Sequence, residues 1–395
     1  MRSFFLIIIS TIILLNLVWW FVGGRLAQGP APRWVHAAFM IFQLAGLAWL
    51  FLGRMSDSGA DRWMPKFIVT AIFLWHMLIL PLVLAIVLLA LPVLLVRQIR
   101  HFYKPATPSR QSSQVDLGRR SFLATTAAVV PPLLTLSLTG LALMQLRQFR
   151  VRRFTLRFAN LPRELHGLTI AQVSDIHIGR FTSGKVLPEI IAAVNELRAD
   201  LVLHTGDLIN DELADLDHGI ELVRAMQGRY GSYLIEGNHD LIENPAEFER
   251  RVRTSGIPFL LDESQIISVR GVPLQLLGLS WTRAHESRDV AIGAAVDRLL
   301  QLRQPDVFPI LMAHHPHAFD AAARAKLPLT LSGHTHGGQL MLNEREGFGP
   351  AMFHYWSGLY QRGDSNLIVS NGVGNWFPLR INAPAEIIHL TLERA

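Results

Sequence analysis

Histidine and acidic residues recur in short glycine-containing runs through the C-terminal part of this 395-residue chain. In one such run, Gly-His-Thr-His-Gly-Gly, His334 and His336 are separated by a single residue, and Asp175 and His177 have the same spacing. Two residues separated by one in an extended or turning backbone point to the same side, so both side chains can serve one site. Imidazole and carboxylate groups bind Mn, Fe or Zn. These pairs therefore predict a site for a divalent transition metal.

Polar residues of the same kinds follow other apolar runs, and together they make a larger set of candidate ligands. The set is Asp175, His177, Asp207, Asn238, His314, His334 and His336. Two cations about 3.5–4 Å apart need one shared carboxylate, for which Asp207 is the natural candidate. Two divalent cations held by two carboxylates and neutral ligands keep a net positive charge, which favours an anionic substrate such as a phosphate. Gly206, Gly237 and Gly333 each precede a candidate ligand, and the missing Cβ is expected to let the backbone approach the ions.

Segments predicted to be strands carry these residues at their ends. The predicted strands are 168–175, 201–207, 232–240, 274–280, 308–315, 329–336, 366–372 and 386–392, and the helices predicted between them are 185–198, 220–227, 246–254 and 294–302. Apolar strands alternating with helices predict an α/β fold with a sheet covered on both faces. The carboxyl ends of the strands are where such sheets usually bind ligands.

The first 150 residues have a different character. They contain four uncharged apolar stretches, at 4–22, 35–52, 67–96 and 122–146. Each is about 18 residues or longer, which is enough to cross a bilayer as a helix. Pro81 and Pro92 predict a tilt or kink in the third stretch. The sequence therefore predicts a transmembrane region over residues 1–150 and a catalytic domain over residues 155–395.

The net charge of +6 is divided unequally between these parts. Residues 1–157 hold 17 Lys and Arg against three acidic residues, or +14, and the remainder carries −8. The basic excess is therefore expected in segments that flank membrane helices and meet lipid headgroups. A nucleic-acid-binding face on the C-terminal half is not supported. The chain has no cysteine, which excludes disulfides, thiol nucleophiles and thiolate metal ligands.

The side of the membrane is suggested by one short string. Arg119 and Arg120, followed by Ser-Phe-Leu and the fourth apolar stretch, resemble a twin-arginine export signal. The alternative interpretation is an ordinary cytoplasmic flank, and the basic residues are divided almost equally between the two sides under either topology. The arginine pair favours a multi-pass membrane protein whose catalytic domain lies outside the cytoplasm.

In order and spacing the chain resembles the calcineurin-like metallophosphoesterases. Their five-block signature is matched by Asp175-Ile-His177, Gly206-Asp207, Gly237-Asn238-His239-Asp240, His314 and Gly333-His334-Thr335-His336. The resemblance covers residues 165–393, and the segments 337–339 and 371–392 resemble a small bacterial branch that often carries membrane segments or export signals. It implies a four-layered α/β/β/α sandwich, two divalent metal ions and hydrolysis of phosphoesters.

The resemblance also implies a role for each residue. One metal would take Asp175, His177, Asp207 and His336, and the other would take Asp207, Asn238, His314 and His334. A metal-bridging hydroxide would be the nucleophile, and His239 would stabilise the transition state and protonate the leaving oxygen. His314 is preferred to His315 because the family places this ligand two residues before a proline.

Four further residues are candidates for supporting the site rather than for binding metal. Many relatives have an aspartate three residues after the shared ligand, orienting the catalytic histidine, whereas this chain has Asn210 with Asp211 beside it. Asp240 follows His239 directly. His204, on the strand before Asp207, is either a supporting residue or a structural one.

The function predicted from the sequence is that of a membrane-anchored phosphoester hydrolase, either a phosphodiesterase or a phosphatase. Two alternatives stay open. One is a hydrolase specific for a phospholipid or a lipid-linked envelope precursor, and the other is a non-catalytic metal-binding membrane receptor or scaffold. The sequence has no Gly-x-Ser-x-Gly elbow and no P-loop, which argues against an acyl hydrolase and a P-loop phosphotransferase.

Overall fold

The computed structural model describes residues 2–27, 29–55, 63–102, 113–281, 288–343 and 345–395. The chain divides into two compact units, Met1–Leu143 and Met144–Ala395. The low-complexity segment 104–114, whose composition predicts a loop, lies outside the described residues except for its last two, which begin a helix. All candidate ligands belong to the C-terminal unit.

Five helices account for most of the described part of the first 145 residues. They are α1 Arg2–Leu26, α2 Pro30–Met55, α3 Lys66–Leu74, α4 Leu80–Phe102 and α5 Ser113–Gln145. Three segments in them are long and apolar enough to cross a membrane: Pro30–Gly53, Lys66–Pro92 and Ala128–Gln145. The apolar segment of α1, Ser10–Leu26, is shorter than these three segments. Candidate spans are therefore found in three of the four predicted stretches.

A π-helical turn, Trp75–Ile79, joins α3 to α4 just before Pro81. Proline has no N–H to donate, and its ring clashes with the carbonyl four residues earlier, which here belongs to Met77. A π turn changes the hydrogen-bond spacing locally, and such turns occur mostly as single-turn insertions in longer helices. This turn lies directly before Pro81, and the buried indole of Trp75 within it donates to Oδ1 of Asn16 at 3.1 Å.

The C-terminal unit contains two mixed β-sheets. The strands are β1 Arg150–Phe158, β2 Leu168–Val173, β3 Leu201–Thr205, β4 Ser232–Ile235, β5 Glu263–Val269, β6 Val272–Leu279, β7 Phe308–Ala313, β8 Leu329–Ser332, β9 Gly358–Arg362, β10 Ser365–Val369 and β11 Glu386–Arg394. In the described residues, one sheet has the order β1-β11-β2-β3-β4 and the other has the order β5-β6-β7-β8-β10-β9.

Helices cover the outer faces of both sheets. They are α6 Val186–Glu196, α7 Leu216–Ala225, α8 Pro245–Thr254, α9 Arg288–Leu299 and α10 Ala318–Arg324, and a further short helix, α11 Phe348–Met352, precedes β9. Side chains of one strand alternate between faces, and on β6 this is visible directly. Leu274 and Leu276 belong to the core between the sheets, whereas Leu277 and Leu279 pack with residues of α9 and α10. A matching cluster joins the first sheet to α6, α7 and α8. The domain is therefore a four-layered α/β/β/α sandwich, as the resemblance implied.

The eight predicted strands are present, and three further strands, β1, β5 and β9, were not predicted. The basic stretch 147–157 was interpreted as a membrane-flanking loop, but Arg150–Phe158 is a strand paired in parallel with β11. Arg150 and Arg152 lie 2.9 Å and 3.5 Å from the buried carboxylate of Glu386. Part of the basic excess therefore holds the sheet together, and the domain begins before residue 155.

Parallel pairing places the candidate residues at the same end of the strands. β2, β3 and β4 run parallel in the first sheet, and β6, β7 and β8 run parallel in the second. The carboxyl ends of parallel strands meet at one edge of a sheet, which is the usual ligand-binding edge.

Candidate active site

The backbone at the strand ends adopts an unusual conformation. Five of the seven candidate ligands have a positive φ angle: Asp175 (53°), His177 (49°), Asp207 (55°), His334 (74°) and His336 (50°). Positive φ is uncommon for residues other than glycine and costs on the order of 1–2 kcal/mol each. Such strain persists only where the surrounding structure imposes it, and it clusters at functional sites.

The first group of side chains follows β2 and β8. Nε2 of His336 lies 3.3 Å from Oδ1 of Asp175 and 3.0 Å from Nε2 of His177. All three residues are buried. Burial alone raises the pKa of the Asp175 carboxyl, but the neighbouring His336 and His177 outweigh it and hold that pKa well below its usual range. Asp175 is therefore a buried carboxylate with imidazole nitrogens converging beside it.

Asp207 stands between this group and a second one. Its Oδ2 lies 3.5 Å from Nε2 of His177 and 3.1 Å from Nε2 of His314, while its Oδ1 accepts the backbone N–H of His239 at 2.8 Å. Burial raises the pKa of this carboxyl, but His314 and His239 outweigh it, so the net shift is well downward. One carboxylate oxygen therefore faces two sets of imidazoles, as expected of a shared ligand.

The second group adds His314 and His334. Ligand atoms of Asp207, His314 and His334 all lie within 4.8 Å of one another. Nδ1 of His314 donates to the carbonyl of Thr205 at 2.7 Å, which leaves Nε2 to face Asp207; metal-binding histidines commonly have such a partner on the other nitrogen. Burial lowers the pKa of His314, but Asp207 dominates and raises it to about 9.

The donor set fits divalent transition metals. Oδ1 of Asn238 is buried and has no hydrogen-bond partner among the described residues, although a buried polar atom is expensive without one. Carboxylate, imidazole and amide oxygen are ligands of Mn, Fe and Zn. A cation bound there would satisfy the Asn238 oxygen and take the place of the proton on His314, since metal ligands must be deprotonated.

Two glycines bring loops against these carboxylates. A Cβ at Gly237 would overlap Oδ1 of Asp207, and a Cβ at Gly333 would overlap Oδ2 of Asp175. The sequence predicted that these glycines let the backbone approach the ions. In the structure they let the backbone approach the carboxylates, and the N–H of His334 donates to Asp175 at 3.0 Å.

His239 lies beside the ligands and is partly exposed. The centroid of its ring is 4.5 Å from that of His177, edge to face. Its Nδ1 bonds the backbone carbonyl of Asn210 at 2.6 Å, whereas the Asn210 side chain donates to Asp211 at 2.6 Å. The histidine is therefore oriented by the main chain at position 210, not by the side chain whose identity departs from the family pattern.

The other two supporting candidates lie in different places. Asp240 accepts the backbone N–H groups of Ile209 at 3.0 Å and Gly237 at 2.8 Å, so it joins the loops after β3 and β4. Burial and the nearby Asp207 raise the pKa of its carboxyl well above the usual range. His204 points instead to Ser232 on β4, at 3.0 Å, and burial lowers its pKa to about 3.

Arg380 is a functional candidate that the sequence reasoning missed. It is buried, donates to Nδ1 of His336 at 2.8 Å, and also donates to the carbonyls of Asn371 and Gly374 at 2.9 Å and 2.6 Å. Burial lowers its pKa to about 10. In the sequence, Arg380 is a single arginine among the apolar residues of the segment 376–383. Nothing in the spacing indicates its contact with the candidate ligand His336, which lies 44 residues earlier.

Two tryptophans border the same place. The Trp281 ring lies 5.1 Å from that of His334 and 5.6 Å from that of His314. The Trp376 ring lies 6.2 Å from that of His239. These contacts give the histidine cluster an apolar border on two sides.

Comparisons of the chain with family models and with known proteins all point to phosphoesterases of one family. Residues 168–338 match the family model of the calcineurin-like phosphoesterases. A transmembrane protein with metallophosphoesterase domain from Danio rerio is 32% identical over 244 residues, covering 60% of this chain and 55% of that protein. The uncharacterized metallophosphoesterase YkuE of Bacillus subtilis is 29% identical over 250 residues, covering 60% of this chain and 84% of YkuE.

The phosphodiesterase YaeI of Escherichia coli is 24% identical over 288 residues, covering 70% of this chain and 99% of YaeI. The chain thus spans about half the length of the fish relative and nearly all of the shorter bacterial one. The C-terminal unit therefore contains a calcineurin-like metallophosphoesterase domain.

Proposed function

We propose that this protein is a membrane-anchored phosphoester hydrolase that works with two divalent metal ions. The observation that carries the proposal is the position of Asp207, whose Oδ2 faces His177 on one side and His314 on the other. A single-metal or purely structural cluster would not need a carboxylate shared between two histidine groups. The three candidate spans support the membrane anchor.

Each metal would have its own set of ligands around the shared carboxylate. Asp175, His177 and His336 would complete one set. His314, His334 and Asn238 would complete the other. Two distances support this division, since ligand atoms of Asp175, His177 and His336 lie within 4.8 Å of one another, and so do those of Asp207, His314 and His334. Metals bound there would supply positive charge for a phosphate group and lower the pKa of a water between them.

The remaining residues would orient the proton donor, hold the loops of the site in place and exclude bulk water. His239, held through Nδ1 by the Asn210 carbonyl, would present Nε2 to the leaving oxygen and donate its proton. Asp240 would keep the loops after β3 and β4 at a fixed distance. Trp281 and Trp376 would shield the two sides from bulk water. No side chain of this chain would form a covalent bond with phosphorus.

The test uses the purified full chain in detergent, with metal content measured by mass spectrometry and hydrolysis of bis-p-nitrophenyl phosphate and p-nitrophenyl phosphate measured with added Mn²⁺, Zn²⁺ or Fe²⁺. We expect hydrolysis of at least one ester. His239→Ala should keep the bound metal but lower turnover by about 10²–10⁴. Asp207→Ala should lose both metal and turnover.

Equal metal loss in the two variants would overturn the division of roles, because His239 would then be a ligand. This outcome is a real alternative, since ligand atoms of His177, Asp207 and His239 also lie within 4.8 Å of one another. A protein that binds two metals but hydrolyses neither ester would instead support a non-catalytic metal-binding receptor or scaffold.

A further inference from the structure

Four large apolar side chains lie exposed on one part of the C-terminal unit, next to the candidate active site. We call them the apolar rim: Leu342, Phe348, Met352 and Ile381, which are 79%, 52%, 65% and 37% exposed. Single exposed apolar residues are ordinary on a protein surface, but a group of them marks an interaction site. The rim therefore needs an explanation that the catalytic chemistry alone does not give.

The rim is built on a hydrogen-bonded framework. The N–H of Met341 donates to the carbonyl of Ile381 at 2.9 Å, and the N–H of Phe348 donates to that of Leu340 at 3.1 Å. The amide of Asn382 donates to the carbonyls of Met341 and Leu342, each at 3.0 Å. These bonds fix residues far apart in sequence side by side. The exposure of the rim is therefore a property of the folded surface.

The rim adjoins the histidine cluster on both sides. It begins six residues after His336 and is followed at once by Phe353, whose ring lies 5.9 Å from that of His334, edge to face. In the other segment of the framework, Ile381 follows Arg380, which donates to Nδ1 of His336. The rim is therefore directly linked along the chain to two residues that contact the histidine cluster.

The rim also adjoins the end of a candidate membrane span. The span Ala128–Gln145 ends at the last residue of α5. Gln145 belongs to the C-terminal unit, and its Oε1 accepts the backbone N–H of Arg380 at 3.2 Å. Ile381 is therefore the next residue along the chain from the one that the Gln145 side chain contacts.

We propose that the apolar rim is inserted into the interface of the bilayer that α5 crosses, and that it holds the active site against lipid headgroups. The substrate part of this inference, a phosphoester carried in a lipid headgroup, rests on the proposed function. Aliphatic and aromatic side chains enter this interface favourably.

The test exploits the absence of cysteine in the natural sequence. Single substitutions Leu342→Cys and Met352→Cys are labelled with an environment-sensitive fluorophore in the full chain, reconstituted in phosphatidylcholine–phosphatidylglycerol vesicles with or without brominated acyl chains. The matched control is Ile266→Cys on β5, an exposed apolar position (50%) outside the rim. We expect brominated lipid to quench the fluorophore at both rim positions and not at Ile266.

Equal fluorescence with and without brominated lipid at the rim positions would overturn the proposal. Disulfide-linked dimers of the unlabelled Leu342→Cys variant, together with no quenching of the labelled variant by lipid, would show that a second copy covers the rim. That result would also overturn the proposal. Neither readout depends on catalysis, so both are distinct from failure of the proposed hydrolysis.

A kinetic measurement tests the substrate class. The double variant Leu342→Ser with Met352→Ser should keep its turnover of soluble bis-p-nitrophenyl phosphate. For a phosphoester presented in vesicles, its KM should rise roughly tenfold or more, because two apolar anchors are lost. An unchanged KM for the vesicle substrate would contradict the proposed role of the rim in presenting substrate.

Discussion

At the scale of single residues, the sequence and the structure give different answers to the question of which group orients His239. Position 210 holds Asn in place of the aspartate found in many relatives, which suggested a catalytic histidine without its partner. The structure gives the partner as the carbonyl of Asn210. A backbone carbonyl is present whatever the side chain, so the departure costs less than the residue types suggest.

The first prediction follows from this contact. Asn210→Ala keeps the carbonyl, so kcat should fall by less than about tenfold, whereas His239→Gln removes the proton donor and should lower kcat by about 10²–10⁴. Initial rates with bis-p-nitrophenyl phosphate compare the two variants. A loss in Asn210→Ala as large as that in His239→Gln would show that the side chain, and not the main chain, orients the histidine.

The second prediction concerns Arg380. Arg380→Met removes the donor to His336 and leaves several buried carbonyls without a partner, each worth about 1–3 kcal/mol. We expect a lower unfolding temperature and a metal affinity lowered about 10–100-fold, as for other groups that orient a metal ligand. Calorimetry and metal titration of the full chain measure the two effects separately.

Two comparisons make the Arg380 prediction specific. Arg345→Met removes a guanidinium from an exposed position and should change neither quantity. Arg380→Lys keeps the charge but not the fork of donors, so it should recover little of the affinity. If Arg380→Met lowers the unfolding temperature but binds metal normally, Arg380 only supports the fold.

The seven candidate ligands could be proposed from the sequence because each follows an apolar strand, and four of them form pairs separated by one residue. The structure brings six of those side chains close together, all but Asn238, while their roles stay a proposal. Arg380 and the carbonyl of Asn210 could not be proposed in this way. Their contacts join segments whose separation is set by the fold, and a backbone carbonyl has no signature in the sequence.

At the scale of elements, strand β1 was not predicted from the sequence because of its many charged residues. Arg150, Arg152, Arg153 and Arg157 made this stretch look like a membrane-flanking loop, yet two of them pair with the buried Glu386. β5 and β9 were missed for a simpler reason, since polar residues interrupt both strands. Continuously apolar strands such as β7 and β8 were predictable because they are buried on both faces.

The third prediction tests β1. A chain that begins at residue 155 lacks Arg150 and Arg152, so the Glu386 carboxylate stays buried without its ion pairs, at a cost of about 3–5 kcal/mol. It should unfold at least several degrees below a chain that begins at Met144, since about 2–4 °C is lost per kcal/mol in a domain of this size. Circular dichroism during heating compares the two, and equal midpoints would contradict the prediction.

At the scale of the whole molecule, metal binding and folding should be linked. A ligand that binds only the folded state stabilises it by about 2.7 kcal/mol at 100 times its Kd. The fourth prediction is that Mn²⁺ or Zn²⁺ raises the unfolding temperature of the full chain and that chelation reverses the rise. In Asp207→Ala the shift should disappear, and a shift of equal size there would mean that the metal binds elsewhere.

The fifth prediction concerns the side of the membrane. Arg119 and Arg120 lie within helix α5, their side chains outside the described residues, and we propose on their sequence that the C-terminal unit lies outside the cytoplasm. In intact cells, a membrane-impermeant maleimide should then label Ile266→Cys without prior lysis. Labelling only after lysis would place the unit in the cytoplasm.

The left-handed backbone at five candidate ligands has a consequence for how this sequence can change. Glycine would relieve that strain by about 1–2 kcal/mol per position, and the gain in heat resistance would be largest at the three histidines, since Asp175 and Asp207 also accept backbone N–H groups. The same replacement would delete the side chain that the site needs. Laboratory selection for thermal robustness alone should therefore drift toward inert proteins, and any screen for hardier variants has to score turnover in parallel.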